Sequence, residues 1–338
     1  MCELTVKIKD VAKTANVSVA TVSRVINAFG NVKPETEKKV LEAIKELNYF
    51  PNHSAKSLRT NSSDGIGVVI SHDLDYFISF PYFVEFIHGM SVVLSDLNYH
   101  LVISTAKKNG INPYLEVAKK GIVDGMIIFD VKDGDERIFS LKKCGIPFVV
   151  IGRPKDVGDY IFVDTDNESG GMLATQHLFD VGCKKILFIN GPKGHAATRF
   201  RLNGYIKAHK NMGIRYDEKL VKYVEKNSDR ENGYAITRES LASMDFDGIF
   251  VSGDLMATGA IAAIEESGLK VGKDIPIVGF DDVPLASMVN PSLTTVKQPI
   301  HDVGKTAASI LINMLNGKKV ESQILSVSLV KRASTFRK

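Results

Sequence analysis

From Gly65 onward the chain alternates short apolar runs with longer amphipathic ones, and few folds accept that rhythm. Runs at Ile66–Ile70, Leu101–Thr105, Met126–Phe129, Phe148–Gly152 and Ile161–Asp164 read as strands, with helical patterns at Tyr82–Leu97, Pro113–Lys120 and Glu136–Lys143 between them. A second series follows, with strands at Lys185–Asn190, Lys219–Glu225, Gly248–Ser252 and Pro276–Asp281. Its helices run over roughly 167–181, 198–212, 232–243 and 254–267. Short apolar strands alternating with helices require parallel sheets covered on both faces. Two successive series predict two doubly wound α/β lobes. A ligand in such a fold sits at the carboxyl ends of the strands, here in the cleft where the lobes face each other.

The first 63 residues have a different texture. In IKDVAKTANVSVATVSRVIN, Ile8–Asn27, one apolar stripe runs through Ile8, Val11, Ala12 and Ala15, and a second through Val22, Val25 and Ile26. Ser18 is placed as the N-cap of the second helix. Two short helices about four residues apart, the second with a polar outer face, form the helix-turn-helix layout. The outward residues Val19, Ala20, Thr21, Ser23, Arg24 and Asn27 suit a DNA groove. A third helix, PETEKKVLEAIKELNY, starts with Pro34 and acidic residues at its positive end and closes a small core over the first two. The following segment PNHSAKSLRTNSSDG, residues 51–65, has two readings. It is a linker, or it is a helix too short to stand alone that folds when DNA and a second subunit are present, with Leu58 as a wedge between base pairs.

Charge locates the partner. The net charge of +4 is small, but residues 1–63 hold ten Lys/Arg against six Asp/Glu, so the excess lies wholly in the helix pair's segment. A polyanion held at that end, with a neutral body behind it, fits this distribution. No apolar run approaches the length of a membrane span, and MCELTVKIKD lacks the apolar core of a signal peptide. Cys2, Cys144 and Cys183 are scattered, which supports neither disulfides nor a zinc site. The expectation is a cytoplasmic protein without a cofactor.

Enzyme signatures fail on inspection. Gly304-Lys305-Thr306 resembles the end of a phosphate loop, but Pro299 occupies the position of its first glycine. Asp164, Asp166 and Glu168 alternate like a calcium loop, yet Ser169 and Thr175 stand where glycine and glutamate are required. What remains is a set of polar groups at strand ends: His72, Asp73, Asp164 to Asn167, Arg199, Arg201, Asp254, Asp281 and Asp282. Carboxylates and an arginine converging on a cleft suit a hydroxyl-rich ligand. Asp254 and Asn167 serve equally well as caps of the helices that follow them; Arg201 and Asp281 are not placed as caps.

These segments together resemble the lactose-repressor (LacI/GalR) family of bacterial transcriptional regulators over nearly the whole chain. The resemblance is carried by IKDVAKTANVSVATVSRVIN, KPETEKKVLEAIKELNYFPN, SAKSLR and DGIGVVI, then by VDTDN, TRFRLNGY, SGDLMATGAI, IPIVGFDD and LTTVKQP. It implies a small all-α helix-turn-helix head plus α/β, with two doubly wound lobes of periplasmic-binding-protein type. The implied boundaries are a head over 1–50, a hinge over 51–64 and an effector-binding and dimerisation domain over 65–338. Lobe one would take about 65–164 and 296–322, and lobe two about 165–293 and 323–338.

By position, the resemblance implies that Val19, Ala20 and Arg24 read bases. Ser18, Thr21, Ser23, Asn27, Lys33, Thr36 and Asn52 would contact phosphates, and Ala55, Lys56 and Leu58 would enter the minor groove. An arginine can pair bidentately with guanine while hydroxyls position the helix on the backbone. The effector would meet His72, Asp73, Phe80, Tyr82, Phe83, Arg201, Asp254 and Asp281. The expected partners are operator DNA, a small-molecule effector and a second copy of the chain, with no membrane. Two departures matter: the family's common Asn before Asp254 is Gly253, and an aromatic often found near position 228 is Ser228. DLDYFISFPYF and VDTDN resemble maltose-type members, which puts an α-glucoside beside other sugars and nucleobases as candidate effectors.

Overall fold

The computed structural model describes residues 6–26, 32–49, 62–70, 81–105, 113–225 and 229–336. The chain forms two compact units, 1–63 and 64–338, each taken by itself below.

In the head, α1 is Ile8–Thr14, α2 is Val19–Ile26 and α3 is Pro34–Glu46. The Lys7 amide donates to Asp10 Oδ2 at 2.7 Å and opens α1. Asn16 takes a left-handed φ of +52° in the turn, a conformation asparagine tolerates better than most residues. Ser18 then caps α2, its Oγ accepting the Thr21 amide at 3.1 Å. Pro34 fills the first turn of α3, with Glu35 and Glu37 at its positive end. Val11, Val22 and Val40 are fully buried, with Ala12, Ala15, Ala43 and Tyr49 around them. Val22 is the fully buried residue of α2, Val25 and Ile26 pack half-buried beside it, and Val19, Ala20 and Arg24 are left facing outward.

The larger unit holds two six-stranded sheets. In the first lobe β1 (Gly65–Ile70), α4 (Pro81–Asp96), β2 (His100–Thr105), α5 (Pro113–Lys119), β3 (Gly125–Ile128), α6 (Glu136–Cys144), β4 (Phe148–Ile151) and β5 (Phe162–Thr165) come in order. The second lobe takes α7 (Asn167–Asp180), β6 (Ile186–Asn190), α8 (Ala196–Asn211), β7 (Val221–Tyr223), α9 (Arg230–Ser243), β8 (Gly248–Val251), α10 (Asp254–Glu266) and β9 (Ile277–Asp281). After α11 (Leu285–Met288) and β10 (Thr294–Lys297) the chain returns to lobe one for α12 (Ile300–Leu315) and β11 (Gln323–Leu325). It ends in lobe two with β12 (Ser328–Val330). The sheet orders are β11-β5-β4-β3-β1-β2 and β12-β10-β9-β8-β6-β7, parallel except where β12 runs against β10.

Three details depart from the sequence reading. Residues 294–297 belong to the second lobe's sheet, although 296 onward was expected in lobe one. Residues 323–325 pair with β5 in the first lobe's sheet, although lobe two was expected to resume at 323. Strands of three or four residues are too short to carry a periodicity, and only pairing assigns them. The stretch read as one strand from Lys219 splits into a 3-10 turn, Glu218–Leu220, and the short β7.

Close helix pairs set the depth of each lobe. A Cβ on Gly171 of α7 would lie 2.3 Å from the Arg201 carbonyl oxygen of α8, and one on Gly204 would lie 2.1 Å from that of Glu168. No larger residue permits that approach, and the approach carries Arg201 to the start of α7. Gly89 with Gly304, and Gly233 with Gly259, make the same kind of contact between α4 and α12 and between α9 and α10.

Candidate functional site

On the head, Val19, Ala20 and Arg24 lie exposed on α2, with Val19 at 40% exposure. Ser18 and Lys33 are exposed as well, while Thr21, Ser23 and Thr36 are partly buried. An exposed valine and alanine beside an exposed arginine present methyl groups and a bidentate donor, the chemistry of a major-groove reader. The Ser18 and Thr21 hydroxyls stand 2.8 Å apart, so one donates to the other and the remaining proton is available to a phosphate oxygen. Asn27, Asn52, Ala55, Lys56, Leu58, His72, Asp73 and Phe80 lie outside the described residues, as does Ser228.

The second site is a cavity of about 180 Å³ between the lobes, at the carboxyl ends of their strands. Arg201 lines it. Its Nε donates to Asn167 Oδ1 at 2.8 Å, an Nη donates to the Ser252 carbonyl at 2.5 Å, and its guanidinium lies 3.8 Å over the Phe280 ring. Burial lowers its pKa, against the pull of Asp281, Tyr82 and Asp164. Asp281, 5% exposed, accepts from Gln298 Nε2 at 2.6 Å. Burial raises its pKa to about 6, opposed by Arg201, Gln298 and the Asp254 amide.

Asp281 and Asp282 both have positive φ, +120° and +59°. For non-glycine residues this is strain that the surroundings must hold, on the order of 1–3 kcal/mol each. Arg332 holds it here, donating to Asp282 Oδ1 at 2.6 Å and to the Leu293 carbonyl at 2.8 Å.

The opposite wall is built from lobe one. Asp164 takes a 2.7 Å hydrogen bond from Arg153 Nε and a 3.0 Å one from Asn167 Nδ2. Burial raises its pKa and Arg153 pulls it down. Thr165 Oγ1 donates to Gln298 Oε1 at 2.6 Å, so the two crossover segments share one network. Tyr82 lines the cavity beside Phe129, their ring centroids 5.7 Å apart. Burial raises the Tyr82 pKa and keeps its hydroxyl protonated. Across the mouth, the Asp133 amide donates to the Gly194 carbonyl at 2.8 Å, Arg199 stands 3.4 Å from Asp133, and His195 Nδ1 lies 3.2 Å from Asp130.

Five placements differ from expectation. Asp254 does not line the cavity: it is fully buried, with Oδ2 accepting the Val283 amide at 3.0 Å and Oδ1 accepting Thr295 Oγ1 at 2.6 Å. Burial and its neighbour Asp281 push its pKa well up, and Gly279 makes room for it, since a Cβ there would lie 2.4 Å from Oδ1. Phe83 is buried behind the wall against Phe129 rather than in it. The cap of α7 is Asp166, whose Oδ1 accepts the Ser169 amide at 3.0 Å, not Asn167. Arg199 serves the mouth, and Asp282 the strained turn.

Sequence reasoning did not single out Arg153, Gln298, Ser252, Asp130 and His195. Nothing in their local pattern marks them, because each gains its role from a partner on another strand or in the other lobe. Among the described residues no group of His, Cys, Asp and Glu could hold a metal ion, and no helix is long and apolar enough to cross a membrane.

An exposed reading helix in one unit and a polar ligand cleft between two lobes in the other define a ligand-responsive DNA-binding regulator. Residues 7–52 match the family described as bacterial regulatory proteins of the lacI family, and residues 175–335 match the periplasmic binding protein-like domain. The ribose operon repressor of Halalkalibacterium halodurans is 36% identical over 321 residues, covering 93% of this chain and 92% of that protein. A solved CelR–cellobiose complex is similar at 32% identity and a TM-score of 0.76, over 97% of this chain and 99% of that one. A lac repressor dimer bound to operator matches at 31% identity and a TM-score of 0.88, over 98% and 100%. The chain belongs to the lacI family of bacterial transcriptional regulators, proteins that bind DNA through the head and a small effector through the lobes.

Proposed function

We propose that this protein is a homodimeric, non-enzymatic repressor acting on operator DNA in the cytoplasm and controlled by a neutral sugar in the cleft. The observation that carries the reading is the cavity's balance of charge. Two carboxylates, Asp130 and Asp281, face one lining arginine, Arg201, while the third, Asp164, is paired with Arg153. An anionic ligand would meet a negative wall, whereas a polyol can donate to Asp281 and Asp164 and accept from Arg201 and Asn167. The Tyr82 and Phe129 rings supply an apolar face for a sugar ring, or for a nucleobase, which makes the nucleobase the second reading. A relative named for ribose and a structure solved with cellobiose support the sugar, and relatives named PurR stand beside them for the second reading.

In this reading Val19, Ala20 and Arg24 read the operator half-site, while Ser18, Thr21, Ser23, Lys33 and Thr36 position the helix on phosphates. Each protomer takes one half of a near-palindromic operator. Sugar binding changes the angle between the lobes and thereby operator affinity, and by linkage the operator changes sugar affinity by the same factor. The test is a thermal-shift screen of neutral sugars, sugar phosphates, nucleobases and nucleosides, followed by operator titration with each hit. Stabilisation by a neutral sugar that alters operator affinity is the expected result. Stabilisation by sugar phosphates or nucleobases alone overturns the sugar assignment.

A further inference from the structure

Gly253 lines the cavity, yet nothing in the backbone or the packing requires glycine there. Its φ of −173° and ψ of 138° are ordinary extended values that any residue adopts. A Cβ built on it would meet nothing nearer than Asp281 Oδ2, at 3.8 Å, an ordinary contact distance. By contrast Gly152, also on the cavity wall, has a φ of +105°, and a Cβ on Gly279 nearby would clash at 2.4 Å. Those two are glycine for conformational and steric reasons; Gly253 is not.

The position also leaves local stability unused. It is the N-cap of α10, a 13-residue helix, and has no side-chain cap hydrogen bond. A Ser, Asp or Asn would supply that bond. Beside it, Ser252 lines the same cavity, is 4% exposed, and its hydroxyl is buried without a hydrogen-bond partner. The Ser252 carbonyl is held by Arg201, and the Asp281 carboxylate by Gln298 and the Asp254 amide, with Oδ2 bordering the space over Gly253 and able to accept a further hydrogen bond.

We infer that the space left by the absent side chain at Gly253 is a subsite that seats a hydroxyl-bearing arm of the effector against Asp281 Oδ2, and that position 253 thereby sets the size of effector the cleft accepts. A neutral hydroxyl fits, because it donates to the carboxylate; a carboxylate or phosphate there would face Asp281 across a short gap and is excluded. The inference rests on the cleft reading above and adds to it the wall that limits effector size.

The experiment is calorimetric titration of the full-length protein at neutral pH with D-glucose, D-galactose, D-ribose, cellobiose and maltose. Wild type is compared with Gly253→Ala and Gly253→Val, and thermal melting confirms that each variant is folded. For the sugar that wild type binds most tightly, affinity falls about tenfold in Gly253→Ala and by on the order of a hundredfold in Gly253→Val, the scale of discrimination by one or a few added methyl groups. Affinity within about twofold of wild type in a folded Gly253→Val, or tighter binding in either variant, overturns the subsite. If wild type itself binds none of the five sugars, the sugar reading of the cleft fails first and takes the subsite with it, an outcome distinct from selective loss in the variants.

Discussion

The head's reading surface and the cleft wall solve opposite problems. On α2 the base-reading side chains Val19, Ala20 and Arg24 are exposed, and Val22, with Val25 and Ile26 beside it, holds the helix against the head core. In the cleft the corresponding side chains are buried and bonded to one another, from Asn167 through Arg201 to Ser252 and from Thr165 through Gln298 to Asp281. A polymer with repeating phosphates can be met by an open face, because its charge and grooves supply the order. A small solute has too few atoms for that, so the protein must preorganise its polar groups before the ligand arrives.

Val22→Asp is the sharpest way to separate the two regions. A charge buried in the head core costs more than about 3 kcal/mol, so gel-shift assays should lose operator binding. Calorimetric sugar binding by the cleft should persist; joint loss would show that the units depend on each other. Arg201→Ala is the converse: it should weaken sugar binding by about 2–4 kcal/mol and leave operator affinity without sugar unchanged. An effect below about threefold would place the ligand elsewhere. Arg24→Ala should cost about 1–3 kcal/mol on operator and much less on random DNA, read by anisotropy at fixed salt. Equal losses on both DNAs would make Arg24 a phosphate contact.

The smallest effect is in pH. Burial raises the Asp281 pKa to about 6, above its ordinary 3.8, so the folded state holds this proton more tightly than the unfolded one. Its contribution to stability is therefore fully present below about 3.8 and is lost as pH rises through about 6. Sugar binding runs the other way, because a hydroxyl donates best to the ionised carboxylate. Affinity should fall by up to about tenfold from pH 7 to pH 5, and Asp281→Asn should flatten the profile. A flat wild-type profile would remove Asp281 from the ligand's contacts.

The two regions also differ in how far the chain alone discloses them. The head's core and reading residues fall within one continuous stretch, and α-helical periodicity sorts Val11 and Val22 inward and Val19, Ala20 and Arg24 outward. The alternation from Gly65 onward likewise implies two parallel-sheet lobes and a cleft at their strand ends. Arg201 and Asp281 could be singled out because neither is placed as a helix cap, although Arg201 lies within α8 rather than at a strand end. For Asp254 the sequence left a helix cap and a ligand contact equally open. Only folding distinguishes it from Asp281: the Val283 amide and the Thr295 hydroxyl satisfy Asp254, while Asp281 stays turned to the cavity.

Local periodicity, capping chemistry and the concentration of positive charge in residues 1–63 were thus enough to determine the fold class, the helix pair and its polyanionic partner, because each depends on neighbours along the chain. Tertiary structure decided the rest. It joined Arg153 to Asp164 and Gln298 to both Thr165 and Asp281, drew α7 and α8 together through Gly171 and Gly204, and left open space over Gly253. Those relations depend on distances between residues up to about 130 positions apart, and only the packed fold sets them.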